Sequence, residues 1–332
     1  MLNATEPNVT QKPMLKLISA TEIEPQEIKW LWYPYIPYGK VTLLQGDPGD
    51  GKSTFMLTLA AILSSASPLP QTIGPTRPID VIYLTTEDDM ADTVVPRFIR
   101  AGGDRSRLTF IDESERHVTF SDERILQAIK ETNAKLLILD PLSSYIGKCS
   151  LNSANEVRPE FNHLIQAAKE TGCAIVVIAH MNKNTDAKSL YRAAGSIDVI
   201  GAVRSSLLIA HDPDNDARRI MVQLKANLAP LENGIAFFVN NEGITFDEVV
   251  QYSADELLNR IGSAQRGRPP AKMNKAMLLL KDFLSEMERS QEMCMAMLEE
   301  NGIAASTAKK AKSELGIESL KIGSRWYWKL PC

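Results

Sequence analysis

A chain of 332 residues with 44% hydrophobic and 23% charged residues has the proportions of an ordinary globular protein, long enough for one large α/β domain and a smaller second one. No run approaches the ~18 apolar residues of a membrane span, and the polar start from Met1 to Gln11 lacks the basic-then-apolar order of a secretory leader, so a cytoplasmic protein without membrane contact is expected. A net charge of −4 argues against a generic nucleic-acid coat, yet the segment from Gly262 to Cys332 holds 12 Lys/Arg against 8 Asp/Glu, a balance of +4 that leaves −8 for residues 1–261.

In chain order, residues 1–29 carry no interpretable motif. Val41 to Gln45 reads as a short buried strand and Phe55 to Leu63 as a helix. Strands at Ile79 to Leu84, Leu108 to Ile111, Leu136 to Leu139 and Ala174 to Ala179 alternate with helices at Ala91 to Ala101, Asp122 to Thr132 and Glu156 to Thr171. Continuous apolar strands separated by amphipathic helices mean a parallel sheet covered on both faces. Strands at Ser206 to Ala210, Arg219 to Lys225 and Ile235 to Val239 are expected to extend it as an antiparallel edge. Cys149, Cys173, Cys294 and Cys332 are scattered, without paired or histidine-flanked spacing, and read as reduced thiols without zinc.

The Gly/Pro/Arg-rich stretch 262–272 reads as a linker, dividing an α/β domain at 30–261 from a small domain at 273–332. In the latter, helices at Asn274 to Met287, Gln291 to Glu299 and Ser306 to Leu315, the last with Ser306 as N-cap, precede a hairpin at Ser319 to Leu330 turning at Gly323-Ser324. Three helices and a hairpin match a winged helix-turn-helix, with Lys309, Lys310 and Lys312 on the recognition helix and Arg325, Trp326 and Tyr327 on the wing. A small packing or oligomerisation domain whose lysines form a solvated face is the competing reading.

Gly46-Asp47-Pro48-Gly49-Asp50-Gly51-Lys52-Ser53, followed by Thr54, satisfies G-x-x-x-x-G-K-[ST] between a strand and a helix. Such a loop turns backbone N–H groups onto a phosphate chain at the positive end of a helix, with Lys52 reaching the β/γ-phosphates of ATP and Ser53 holding Mg²⁺. Asp140, at the end of a buried strand, is placed to bind Mg²⁺ as a Walker B acid. Pro141 follows, so the second acid common there is missing, and Glu87 in Thr85-Thr86-Glu87-Asp88 is the candidate base, with Asp88 and Asp89 assigned to starting the next helix. His180 and Asn182, at the end of the last parallel strand, are candidate γ-phosphate sensors.

These residues together resemble the RecA/DnaB-type ATPases, most closely the small RepA-like hexameric helicases of plasmids, phages and mobile elements. The match runs from Trp30 to about Asp247 through Trp30-Leu31-Trp32-Tyr33-Pro34, Ile36-Pro37-Tyr38-Gly39-Lys40, the phosphate loop, Thr86-Glu87-Asp88-Asp89, Leu139-Asp140-Pro141-Leu142, His180-Met181-Asn182-Lys183 and Gly195-Ser196. The resemblance implies a RecA-like core and a ring, usually of six subunits, with ATP between neighbours and a basic residue supplied in trans; Arg204 and Lys225 are the positions carried over. Where DnaB-type helicases have lysine-x-arginine, this chain reads Lys225-Ala226-Asn227. The resemblance further implies that the loops Ser143 to Asn155, with Lys148, and Lys183 to Gly195, with Lys183, Lys188 and Arg192, line a channel for single-stranded DNA, with Tyr145 and Tyr191 as their only aromatics. The expected function is a DNA-dependent ATPase and helicase serving replication of a mobile element, its C-terminal domain docking duplex DNA or replication proteins. The alternatives are an ATP-switched, non-helicase DNA-binding regulator and a recombination mediator; a small-molecule kinase is more remote, because no acceptor domain is evident.

Overall fold

The computed structural model describes residues 15–70, 77–149, 153–181, 197–267, 271–285 and 287–331. A nine-stranded sheet organises the larger part of the chain, in the order β11-β10-β9-β8-β3-β7-β6-β4-β5. Its parallel members are β3 (Val41–Gly46), β4 (Val81–Thr85), β5 (Leu108–Thr109), β6 (Leu136–Asp140), β7 (Ala174–His180) and β8 (Ser205–Asp212). β9 (Asn215–Ala226), β10 (Gly234–Asn240) and β11 (Gly243–Val250) continue it antiparallel. The expectation of an antiparallel edge thus needs one correction: its first strand, β8, runs parallel to β3. Helix α6 (Ile197–Ala202) leads directly into β8, whereas the tight His211–Asn215 hairpin reverses the chain into β9.

The central strands are apolar throughout because helices cover both faces. Leu44, Tyr83, Ile138 and Val176 face one core, where they meet Phe55, Met56 and Leu59 of α1 (Lys52–Ser64) and Phe98 of α2 (Val95–Arg100). Leu43, Ile82, Leu137 and Val177, each one residue out of phase with those, face the other core, with Ile125 and Ile129 of α3 (Glu123–Thr132) and Phe161 and Leu164 of α5 (Ala154–Thr171). A short hairpin, β1 (Trp30–Trp32) and β2 (Ile36–Pro37), buries Trp32 and Ile36 in the first core.

Helix α7 (Ala254–Gly267) covers the antiparallel end, burying Leu257 and Leu258 against Leu208, Val222 and Ala236. The expected linker at 262–272 is therefore helical up to Gly267, and residues 268–270 lie outside the described residues. Ser263-Ala264-Gln265-Arg266 tolerates a helix once the preceding turns are packed, so composition misreads it.

Beyond it, α8 (Ala271–Phe283), β12 (Arg289–Ser290), α9 (Gln291–Glu300), α10 (Ala305–Glu314), β13 (Glu318–Ile322) and β14 (Arg325–Lys329) enclose their own core, including Leu280, Leu298, Ala308 and Trp328. The last two strands form the expected hairpin across Gly323-Ser324, and β12 joins β14 from the other side. Ser306 is not the N-cap of α10: the helix begins one residue earlier, and Ala304 holds the cap position without a side-chain bond. Among the described residues no helix is long and apolar enough to cross a membrane.

Candidate nucleotide site

The carboxyl ends of adjacent strands bring the expected residues to one edge. In the order β3-β7-β6-β4 they present Gly46, His180, Asp140 and, two residues past the strand end, Glu87. Register fixes this convergence: Gly46 lies opposite His180 and Thr85 opposite Asp140, while Met181 N–H donates to Gly46 O at 3.2 Å and Thr86 N–H to Asp140 O at 3.3 Å.

The loop from Gly46 to Thr54 needs its glycines. A Cβ on Gly46 would lie 2.4 Å from Ile209 O, and Gly51, at φ +85°, occupies a left-handed conformation as the residue capping α1. Lys52 is buried, and its Nζ donates to Gly46 O at 3.0 Å and to Asp47 O at 2.8 Å. Burial lowers its pKa, while Asp50, Asp140, Asp47 and Glu87 act in the opposite direction. The ammonium is thus held at the loop by carbonyls and surrounded by four carboxylates.

Asp140 is buried, and burial raises its pKa against hydrogen bonds donated by Ser53 and by the Tyr83 hydroxyl at 2.8 Å. The Ser53–Asp140 contact places two hard oxygen ligands together, a donor set suited to the Mg²⁺ that accompanies a nucleotide. Glu87 is half-exposed, with Oε1 at 3.7 Å from His180 Nε2, an ion-pair separation rather than a hydrogen bond. Asp89 accepts from the N–H groups of Ala91 and Asp92, and Asp88 pairs with Arg97 at 2.9 Å, so these two acids are used in starting and bracing the following helical turns. A cleft of about 490 Å³ opens beside the loop, lined by Thr54, Thr58, Arg97, Arg100, Asn240 and Asn241 among others.

Other sequence-marked residues lie farther out. Arg204 is exposed at the start of β8, whereas Lys225 Nζ donates to Ile200 O and Val203 O, both at 2.8 Å, at the end of α6. Burial, followed by the charges of Arg204 and Arg158, lowers the Lys225 pKa. Lys148 is exposed after α4 (Leu142–Tyr145), while Asn182, Lys183, Lys188, Tyr191, Arg192, Gly195 and Ser196 lie outside the described residues. Tyr145 is not a surface aromatic of a loop: α4 turns it inward, where it is fully buried and donates to Glu113 Oε2 at 3.2 Å. In the C-terminal module Lys309, Lys310 and Arg325 are exposed, but Lys312 bends over the Trp328 ring, 5.2 Å from its centroid, and bonds Ser319 Oγ.

Sequence reasoning missed Tyr83, whose hydroxyl reaches Asp140 only because β4 and β6 are neighbours in register. It also missed Arg97, nine residues from Asp88 and related to it by no local period.

This loop, strand-end acid and sheet place the protein among P-loop ATPases. The family model described as "AAA domain" matches residues 8–186, and the chain belongs to that family. Over 149 residues, 44% of the chain, it is 28% identical to the DNA repair protein RadA of Bacillus subtilis, and over 148 residues 30% identical to RadA of Halalkalibacterium halodurans. RadA of Escherichia coli matches at 27% over 149 residues. In each case the match spans 28% of the relative's length. Among solved structures, a KaiC-like protein from Pyrococcus horikoshii OT3 aligns over 64% of this chain and 91% of its own, with 16% identity and a TM-score of 0.48.

Proposed function

We propose that the protein is a DNA-dependent ATPase that assembles as a ring on single-stranded DNA and unwinds duplex, as a RepA-like helicase of a mobile element would. The single observation that carries the ATPase half is the convergence of Lys52, Ser53, Asp140 and Glu87 at the ends of two strands and the start of α1. In this reading Lys52 binds the β/γ-phosphates, and Glu87 orients and deprotonates the attacking water. Ser53 and Asp140 hold Mg²⁺, which supplies charge neutralisation on the phosphates when bound. His180, against Glu87, relays the state of the γ-phosphate to the chain that follows β7. The cleft beside Thr54 takes the nucleoside.

Two observations favour assembly. Arg204 is exposed and available to a neighbour's site, whereas Lys225 is held by carbonyls of its own subunit; Arg204 is therefore the proposed trans-acting residue. In addition, residues 15–29 form an arm with a capped turn at Ser19–Glu22 and no buried side chain; Leu15 is 86% exposed, Leu17 82% and Ile18 59%. Such an arm is suited to bury its leucines on the next copy in a head-to-tail ring. Replacing Leu17 and Ile18 by Asp is expected to shift the protein toward monomer in sedimentation velocity with Mg-ATP, while its far-UV circular dichroism stays that of wild type. An unchanged size distribution would remove the arm from the interface.

The α8-to-β14 module is assigned as a winged helix whose Lys309, Lys310 and Arg325 contact duplex DNA or a replication partner. DNA-repair relatives named RadA support a role on DNA and keep the recombination mediator as the second reading. A forked duplex with labelled strands separates the two. Strand separation that requires ATP supports the helicase, whereas ATP hydrolysis without separation favours the mediator or the regulator.

A further inference from the structure

The position before Gly51 in a phosphate loop needs only to let the backbone turn, yet here it holds an acid whose side chain is 7% exposed. Asp50 Oδ2 accepts the Asp47 N–H at 2.6 Å, and Oδ1 lies 3.6 Å from His211 Nε2. His211 on β8 and Arg219 on β9 are cross-strand partners, so this strand pair presents both groups toward the loop. Arg219 Nη1 donates to the carbonyls of Asp216 and Arg218, but its Nε is buried with no hydrogen-bond partner among the described residues. The titratable and charged groups facing Asp50 are thus Lys52 and Asp47 from the loop and His211 and Arg219 from the strands. Burial is the largest influence and pushes the Asp50 pKa up to about 6, outweighing the Asp47 N–H, Lys52 and Arg219.

We propose that Asp50 is a positioning residue that clasps the phosphate loop to the β8–β9 strand pair, through the Asp47 N–H on one side and His211 with Arg219 on the other, and that this clasp takes up a proton when a polyphosphate enters the loop. The inference rests on reading the loop as a nucleotide site. A carboxylate charge inside a phosphate cradle opposes an anionic ligand, so ligand binding raises the proton affinity of Asp50. By reciprocity, protonation raises ligand affinity. Deprotonating Asp50 as pH rises through about 6 restores the opposing charge and weakens binding at higher pH.

The test is binding of the fluorescent nucleotide mant-ADP with Mg²⁺ from pH 5.5 to 8.5 by the wild-type chain and by Asp50→Asn, which keeps an acceptor for the Asp47 N–H but not the charge. Titration of the ligand's own phosphates is common to both proteins and cancels in the ratio of their dissociation constants. The wild type is expected to bind about as well as the variant at pH 5.5 and roughly three- to tenfold more weakly at pH 8, since one unit of pKa shift corresponds to tenfold. His211→Gln, which removes the imidazole from Asp50 Oδ1, provides the second variant and is expected to shift the pH at which binding weakens relative to wild type. A ratio flat across pH for Asp50→Asn, or for His211→Gln should the first variant not fold, overturns the clasp. Absence of mant-ADP binding by the wild type would instead remove the nucleotide reading on which the clasp rests.

Discussion

Glu87→Gln is expected to lower ATP turnover by about 10²- to 10⁴-fold, the usual contribution of a positioned general base, while nucleotide binding persists. The side chain sits two residues past the end of β4, beside the strand that ends in Asp140, and its charge is felt by both Asp140 and Lys52. Among the described residues the neighbouring positions offer no such acid. Pro141 occupies the position after Asp140, Asp88 is paired with Arg97, and Asp89 caps the next helical turn. Gln keeps the size and hydrogen-bonding reach of the side chain but cannot accept the proton of the attacking water. Steady-state phosphate release, compared with mant-ADP affinity, checks the split. A variant that hydrolyses within a fewfold of wild type would move the base elsewhere, with His180 the next group to examine.

Phe55→Ala is expected to cost about 3–5 kcal/mol of stability, the range for a fully buried phenylalanine. The ring lies 5.1 Å from Phe237, 6.0 Å from Phe246 and 6.2 Å from Trp32, so it joins α1 to strands β10 and β11 and to the β1–β2 hairpin. Those elements come from distant parts of the chain and cannot close around the cavity without shifting the sheet. Phe55 is also two residues from Ser53, so a loosened α1 moves the end of the phosphate loop, and nucleotide affinity is expected to fall together with stability. Equilibrium urea unfolding measures the first effect, and Phe55→Leu, which refills most of the volume, should recover most of it. A loss below about 1 kcal/mol would mean that the aromatic cluster collapses freely and does not brace the loop.

The parallel strands were legible because burial on both faces leaves an unbroken apolar run, as in Leu136–Leu139 and Ala174–Ala179. Strand β11 was not, because most of its side chains are exposed or half-buried and its sequence, Gly-Ile-Thr-Phe-Asp-Glu-Val-Val, carries a weak pattern. Helix α7 was hidden by the glycines and arginines of its final turns, and α4 by its length of four residues. At the candidate site, the positions of Asp140 and His180 at strand ends, and of Glu87 just past one, were legible because each follows a recognisable apolar run. Contacts that depend on sheet order were not. Tyr83 on Asp140, Asp50 against His211, and Lys225 on the carbonyls of Ile200 and Val203 join residues 57, 161 and 22–25 positions apart, and no spacing in the sequence marks them.

The measurement that most directly tests the central claim is steady-state ATP turnover by the purified chain, with and without single-stranded DNA, in the presence of Mg²⁺. The account predicts measurable basal hydrolysis that single strands stimulate, and loss of both in Glu87→Gln. Turnover indifferent to single strands would contradict a translocating ATPase on DNA, and no turnover under either condition would contradict the assignment of Lys52, Asp140 and Glu87 as a hydrolytic site.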